Sequence, residues 1–368
     1  ATAVISMWVS NTATAMMMLP IGMAVASQVG LESSDPHNSA AGDNFGAGLM
    51  LGIAYAASIG GMATLIGTPP NVIFAGQVRQ LFPELGEVGF LRWMLVGVPL
   101  AGVYLLLTWL YLAFVVMRFS SGLQPHKGGQ ALSAQRAELG PMSRGERVVI
   151  TVFFLTVAAW VFRADLVIGP LTIPGWSTWL GLELHDGTIA VAAALLLFLI
   201  PIDLKRGQFV LDWAWAVRIP WEVLFLFGGG FALAAGFRVT GLAEWLAGAL
   251  QLLAVLPLGI MMLVLCLIVI FASEIASNTA LASLLLPILA ATATGLDIHP
   301  YLLMLPATLA ASCGFMLPVA TPPNAVAFAS GYVTAPQMMR VGLVLDVLGA
   351  ILVTLAVSTL GRAVFALN

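Results

Sequence analysis

Apolar blocks fall near residues 1–29, 46–76, 93–117, 148–164, 187–202, 221–237, 241–272, 279–296, 301–332 and 341–365. Most approach or exceed the roughly 20 residues that a helix needs to cross a bilayer. They predict an all-α polytopic membrane protein. Several blocks are interrupted by Pro, Gly or Asn, which predicts broken helices or re-entrant hairpins in place of plain spans. The one clearly hydrophilic connector, 118–147, is rich in Gly, Gln, Ser and charge. It divides the chain into a first repeat at 1–117, a linker at 118–147 and a second repeat at 148–368. The sequence opens inside an apolar block with neither an initiator Met nor a charged leader. It therefore reads as a chain lacking an N-terminal portion, with the first repeat incomplete.

Composition agrees with the blocks. Of 368 residues 60% are hydrophobic and 8% charged, against roughly 25% charged in soluble domains, and mean hydropathy is +1.02. Such a chain cannot cover itself with charge in water, which excludes a soluble enzyme, a nucleic-acid binder and a secreted disulfide scaffold. The net charge of −3 says nothing about partners. Cys266 and Cys313 lie in apolar stretches and read as small core residues. Five of the 14 Lys and Arg sit in the linker (Arg118, Lys127, Arg136, Arg144, Arg147), and Lys205, Arg206 and Arg218 follow in 203–218. The positive-inside rule makes both segments cytoplasmic. Segment 164–186 carries Asp165, Glu183 and Asp186 without a Lys or Arg and is assigned outside. The polar loop 30–44, with Glu32, Asp35 and Asp43, is assigned inside.

Internal similarity carries the function. Ser10-Asn11-Thr12-Ala13 with Leu19-Pro20-Ile21 recurs, at the same spacing, as Ser277-Asn278-Thr279-Ala280 with Leu286-Pro287-Ile288. Gly67-Thr68-Pro69-Pro70-Asn71 recurs as Ala320-Thr321-Pro322-Pro323-Asn324. Ser58 and Gly60 precede the first copy, and Ser312 and Gly314 the second. From Ser10 to Thr68 is 58 residues and from Ser277 to Thr321 is 44; the extra loop around 30–44 absorbs the difference. One such triplet reads as a cap, and one Pro-Pro as a kink. Four elements in matched order read as a site.

Ser or Asn opening an apolar run is a helix N-cap, and the helix that follows aims free N–H groups and its positive dipole end at the motif, which suits an anion. The half-helix before it ends in free carbonyls, which with the Asn oxygen suit a small hard cation. Thr-Pro-Pro-Asn breaks a second helix and frees further carbonyls. No Lys or Arg occurs in 1–78 or 239–339, the windows that hold all four elements. An anion there must rely on dipoles, hydroxyls, amides and bound cations, which predicts obligate cation coupling.

The paired Ser-Asn-Thr and Thr-Pro-Pro-Asn elements, with Phe227-Gly228-Gly229-Gly230 and Glu274, resemble the divalent anion/sodium symporter family of dicarboxylate, citrate and sulfate transporters, over essentially the whole chain. The resemblance implies an inverted-repeat transporter with two re-entrant helical hairpins, the family's N-terminal scaffold helices being absent from this chain. It implies one sodium site at Ser6, Ser10, Asn11 and Gly67 and a second at Ser273, Ala276, Asn278 and Ala320. It implies substrate contacts from Ser10, Asn11, Thr12, Ser277, Asn278 and Thr279, with Thr68, Pro69, Thr321 and Pro322 at the sides. It also implies elevator-type alternating access, in which a transport domain slides past a scaffold that forms a homodimer interface.

The resulting expectation is a multi-pass protein of the plasma (inner) membrane, not an enzyme, coupling sodium to uptake of a small dianion such as the C4-dicarboxylate succinate. Na+ is the coupling ion and no other cofactor is expected. Its partners are the dianion, sodium and the lipid bilayer, with no nucleic acid. A sodium-independent exchanger and a sulfate or citrate symporter are the alternatives. A hydrolase would need an Asp, His or Lys beside a Ser nucleophile, and a channel would not need paired occluding hairpins. Glu274 and Asp346 are open to a functional or a structural reading. The glycine run reads as close helix packing, because no Lys-Ser/Thr follows it. His37, His126, His185 and His299 are too scattered for a metal, and Trp93, Trp176, Trp179, Trp213 and Trp221 suit interfacial belts.

Overall fold

At each repeated element the helix stops and restarts. The structure, a computed structural model, describes residues 1–31, 39–117, 140–168, 171–182, 184–219, 221–242, 245, 248 and 256–367. Most of the expected 118–147 linker, His37, His126 and Glu183 lie outside the described residues, as does the centre of the 30–44 loop. In the first half α1 (Thr2–Ser6) ends before Ser10, where α2 (Asn11–Leu31) begins; α3 (Ser39–Gly61) ends before Thr68, where α4 (Pro69–Leu81) begins. Next come α5 (Phe90–Tyr111), α6 (Arg144–Val161), α7 (Trp176–Leu180), α8 (Asp186–Leu199), α9 (Trp213–Ala216) and α10 (Trp221–Thr240). The second half repeats the interruptions. In it α11 (Leu258–Ser273) gives way to α12 (Asn278–Gly295), and α13 (Tyr301–Ala310) to α14 (Pro322–Ala329), before α15 (Ala335–Ala356) and α16 (Arg362–Phe365).

Local chemistry accounts for the restarts. Ser10 Oγ accepts from Ala13 N at 3.3 Å, and Ser277 Oγ from Ala280 N at 3.5 Å, the N-cap bond expected of serine. Thr68 and Thr321 have extended backbones (φ −147° and −139°) and are followed by two prolines, which sit where a helix has no N–H partner to lose. The repeated Pro20 and Pro287 lie inside α2 and α12 without ending them. These interruptions cut the apolar blocks 46–76 and 301–332 into shorter helices. Among the described residues three helical segments remain long and apolar enough to cross a membrane: Phe90–Val116, Asn278–Gly295 and Ala335–Phe365.

The chain forms two units. The first comprises Ala1–Val88, Trp93–Ala134 and Phe225–Asn368, and in it the halves pack reciprocally. Helix α2 lies on α14 and α12 lies on α4; α1 lies on α3 and α11 on α13; α14 reaches α3 as α13 reaches α4. Tyr55 and Tyr104 stand edge-on to Phe315, and the Cys313 and Met62 sulfurs are 3.8 Å apart. Both cysteines are free and buried.

The second unit comprises Gly89–Arg92 and Gln135–Leu224. A reciprocal box caps α6, with Glu146 N bonded to Ser143 Oγ and Ser143 N to Glu146 Oε2. This unit departs from all-helical in two short antiparallel pairs: β1 (Leu166–Ile168) with β2 (Leu171–Ile173), and β3 (Pro201–Asp203) with β4 (Gln208–Phe209). The acidic segment 164–186 is also less uncompensated than its composition implies. Arg163, one residue before it, pairs with Asp186 at 2.6 Å and donates to Leu184 O. Asp165 accepts from Gly175 N, which together with the Thr178 hydroxyl holds its carboxyl below the ordinary range.

Close backbone approach makes one glycine testable. A methyl at Gly342 on α15 would overlap the Phe315 carbonyl, whereas one at Gly102 on α5 meets nothing. Gly342→Ala is expected to cost about 1–3 kcal/mol through overpacking, read as a lower thermal midpoint of the detergent-solubilised protein. Gly102→Ala should leave the midpoint unchanged.

Candidate functional site

The two Thr-Pro-Pro-Asn breaks are held by the same device. Asn71 Nδ2 donates to Gly61 O (3.1 Å) and Thr64 O (2.7 Å); Asn324 Nδ2 donates to Gly314 O and Leu317 O, both at 3.0 Å. Each asparagine thus binds the carbonyls ten and seven residues before it. This register pairs Gly61, not Gly60, with Gly314, one position on from the match drawn by the Ser-x-Gly pattern. Both asparagines are fully buried, and in both the side-chain oxygen has no protein partner.

Each break is then tied to the neighbouring Ser-Asn-Thr element, by different chemistry in the two halves. In the first half the Thr64 hydroxyl donates to Met7 O. In the second, Glu274 stands at the position of Met7 and Leu317 at that of Thr64. Glu274 Oε1 accepts from Met316 N and Oε2 from Leu317 N, each at 2.8 Å. Asp346 Oδ1 accepts from Phe315 N at 3.2 Å. Three consecutive N–H groups, 315–317, therefore end on two buried carboxyls. These contacts give Glu274 a structural role, both of its oxygens being taken by backbone N–H groups.

Ser6, Asn11 and Gly67 come together. Ser6 is fully buried, and its hydroxyl lies 2.7 Å from Ala57 O and 2.6 Å from the Asn11 amide oxygen. One hydroxyl proton faces two acceptors. Turning the Asn11 amide over would give its nitrogen three acceptors instead: Ser6 Oγ at 2.6 Å, Ala57 O at 3.1 Å and Gly67 O at 3.3 Å. With the nitrogen inward the amide ties these oxygens together. In either orientation Ser6 Oγ, Ala57 O, Gly67 O and the Asn11 amide converge, and oxygens so gathered suit a hard cation. Ser10 is exposed and serves as the N-cap, while Thr12 is half-buried on the first turn of α2. Thr68 is buried, and Pro69 is half-buried at the start of α4.

In the second half Ser273 is fully buried and donates to Ile270 O. A side chain at Gly314 would stand 3.4 Å from Ser273 Oγ, 3.3 Å from Ala320 Cβ and 3.7 Å from Glu274 Oε1, so these groups converge on one glycine. Ala276 is half-buried, with its N–H on Ala272 O. Asn278 carries a buried side-chain oxygen without a protein partner, an orphan of the kind a cation or water satisfies. Ser277 is exposed as the N-cap, and Thr279 O accepts from Ser283 Oγ at 2.9 Å. Thr321 is buried with Oγ1 facing Asn324 N at 3.4 Å, and Pro322 is exposed. Among the described residues no three His, Cys, Asp or Glu gather as a metal cage. The sequence reading passed over Asn71 and Asn324 because their prolines already explained the breaks. Their recurrence in the motif was the available signal.

A family model described as the sodium:sulfate symporter transmembrane region matches residues 1–367. The chain is 41% identical over 359 residues to the sodium-dependent dicarboxylate transporter SdcS of Staphylococcus saprophyticus, covering 97% of this chain and 67% of that protein. It is 42% identical to SdcS of Staphylococcus aureus strain NCTC 8325, with the same coverage.

Removing the Glu274 carboxylate leaves two part-buried N–H groups without their acceptor, at up to about 1–3 kcal/mol each. Glu274→Ala is therefore expected to lower the thermal midpoint in detergent strongly. Glu274→Gln, which keeps one acceptor oxygen, should fall between Ala and the native residue.

Proposed function

The chain belongs to the sodium:sulfate symporter transmembrane family, and from that premise we propose that it is a secondary active transporter coupling sodium to uptake of a small dianion, foremost a C4-dicarboxylate such as succinate. The names of the SdcS relatives, sodium-dependent dicarboxylate transporters, support the ion and the substrate class. The observation that carries the reading is the convergence of Ser6 Oγ, the Asn11 amide, Ala57 O and Gly67 O, echoed by the unpartnered Asn278 oxygen.

In this reading Na+ binds at Ser6, Ser10, Asn11 and Gly67, and again at Ser273, Ala276, Asn278 and Ala320. The dianion lies against Ser10–Thr12 and Ser277–Thr279, facing the N-terminal ends of α2 and α12, whose free N–H groups favour negative charge. Thr68, Pro69, Thr321 and Pro322 flank it. Because the surrounding windows hold no Lys or Arg, bound sodium supplies the positive charge, and the anion binds well only after it. Residues 1–117 and 148–368 act as two inverted repeats whose re-entrant hairpins meet at mid-membrane. Substrate crosses by an elevator movement in a dimer in the plasma membrane. The reciprocal packing of α2 with α14 and α12 with α4 supports the two-fold part of this scheme.

Purified protein in proteoliposomes should take up radiolabelled succinate saturably when sodium is supplied outside. Uptake should fall to background when choline replaces sodium, and equal uptake in choline would indicate the sodium-independent exchanger instead. Competition by excess unlabelled succinate but not sulfate or citrate would fix the substrate class. Asn11→Ala and Asn278→Ala should each abolish sodium-dependent uptake. Normal transport by both would refute the site.

A further inference from the structure

The asparagine that closes each Thr-Pro-Pro-Asn element stands four residues after a residue of the sodium sets above, Asn71 after Gly67 and Asn324 after Ala320. It is the third residue of its helix, after an N-cap threonine and two prolines, where the backbone N–H has no partner four residues back. Asn71 N bonds Thr68 O at 3.2 Å, and Asn324 N bonds Thr321 Oγ1 at 3.4 Å, so the Gly67 and Ala320 carbonyls are passed over.

Several other groups of each break are taken up around them. In the first half Ile59 O and Gly60 O receive Met62 N and Ala63 N, Met62 O receives Trp93 Nε1, and Gly61 O and Thr64 O receive Asn71 Nδ2. In the second half Phe315 O receives Tyr55 Oη, and Gly314 O and Leu317 O receive Asn324 Nδ2. The amide thus anchors the loop on both sides of its turn without using the Gly67 or Ala320 carbonyl.

We propose that Asn71 and Asn324 are positioning residues for the two sodium sites, each holding its break so that the carbonyl of Gly67 or Ala320 stays available to the ion. The assignment rests on the sodium-coupled reading given above. Neither asparagine touches the ion in this scheme. The donor half of each amide carries the role, since both side-chain oxygens lack a protein partner.

The effect is therefore on sodium rather than on substrate or turnover. Asn71→Ala and Asn324→Ala are expected to raise the sodium concentration for half-maximal succinate uptake roughly ten-fold, the equivalent of about 1.4 kcal/mol in ligand affinity. Maximal rate and succinate KM at saturating sodium should stay near native. Asn71→Ser and Asn324→Ser, which keep one short donor, should give intermediate midpoints and decide the question if the alanine variants fail to fold. Sodium-induced thermal stabilisation, read without substrate, should shift in parallel. Native sodium midpoints in folded variants, or a loss of maximal rate with the midpoint unchanged, would overturn the positioning role while leaving the transporter reading intact. A native protein with neither sodium-dependent uptake nor sodium-dependent stabilisation would instead refute the sodium-coupled reading, and this inference with it.

Discussion

A helix interrupted inside hydrocarbon exposes N–H and C=O groups that water cannot reach, and each one left unpaired costs several kcal/mol. The first unit is arranged around this constraint. Asn71 and Asn324 each hold two carbonyls, Trp93 holds one, Tyr55 holds one, and the carboxyls of Glu274 and Asp346 hold three N–H groups in succession. Few of these partners are polar groups free for chemistry. They are the supports that let irregular backbone exist inside so apolar a unit. Polar residues in so apolar a chain are therefore first a structural necessity, and only what remains unpaired afterwards is available to a ligand.

The halves solve the same problem with different charge. Where the first half ties its elements through the neutral Thr64 hydroxyl and Met7 carbonyl, the second uses the Glu274 carboxylate on two backbone donors. The second break is thus tied by two bonds where the first has one. Asp346, fully buried, adds a third contact from a separate helix through Phe315 N. The duplicated motifs are thus alike in backbone design and unlike in electrostatic surroundings.

The apolar blocks and their interruptions were legible because hydropathy and Pro-Pro are local signals. The meeting of Ser6, Asn11 and Gly67 was legible only through resemblance, since nothing in their spacing brings 67 to 11. The partner of Glu274 was not legible. A carboxylate in an apolar run announces that something must compensate it, but which backbone segment does so depends on how α11 and α13 pack. The glycine register failed for a related reason: Ser58-x-Gly60 and Ser312-x-Gly314 match as text, whereas the hydrogen bonds of Asn71 and Asn324 pair Gly61 with Gly314. The acidic segment 164–186 is compensated in part by Arg163, which lies one residue outside it. Three-residue strands carry too little alternation to register in the pattern.

The scarcity of cations follows from the same constraint. A buried Lys or Arg near the breaks would compete with backbone N–H groups for Glu274 and Asp346, and a break that lost those acceptors would leave its amides unpaired. Windows 1–78 and 239–339, without Lys or Arg, keep the two carboxyls for the backbone. The consequence falls on any anion bound between the motifs, which finds helix N-termini and hydroxyls but no fixed positive charge. On the proposed reading sodium makes good that deficit reversibly. A permanent cation would hold the dianion equally well in every state, whereas an ion that arrives and leaves with it lets the same neutral scaffold bind on one side of the membrane and release on the other.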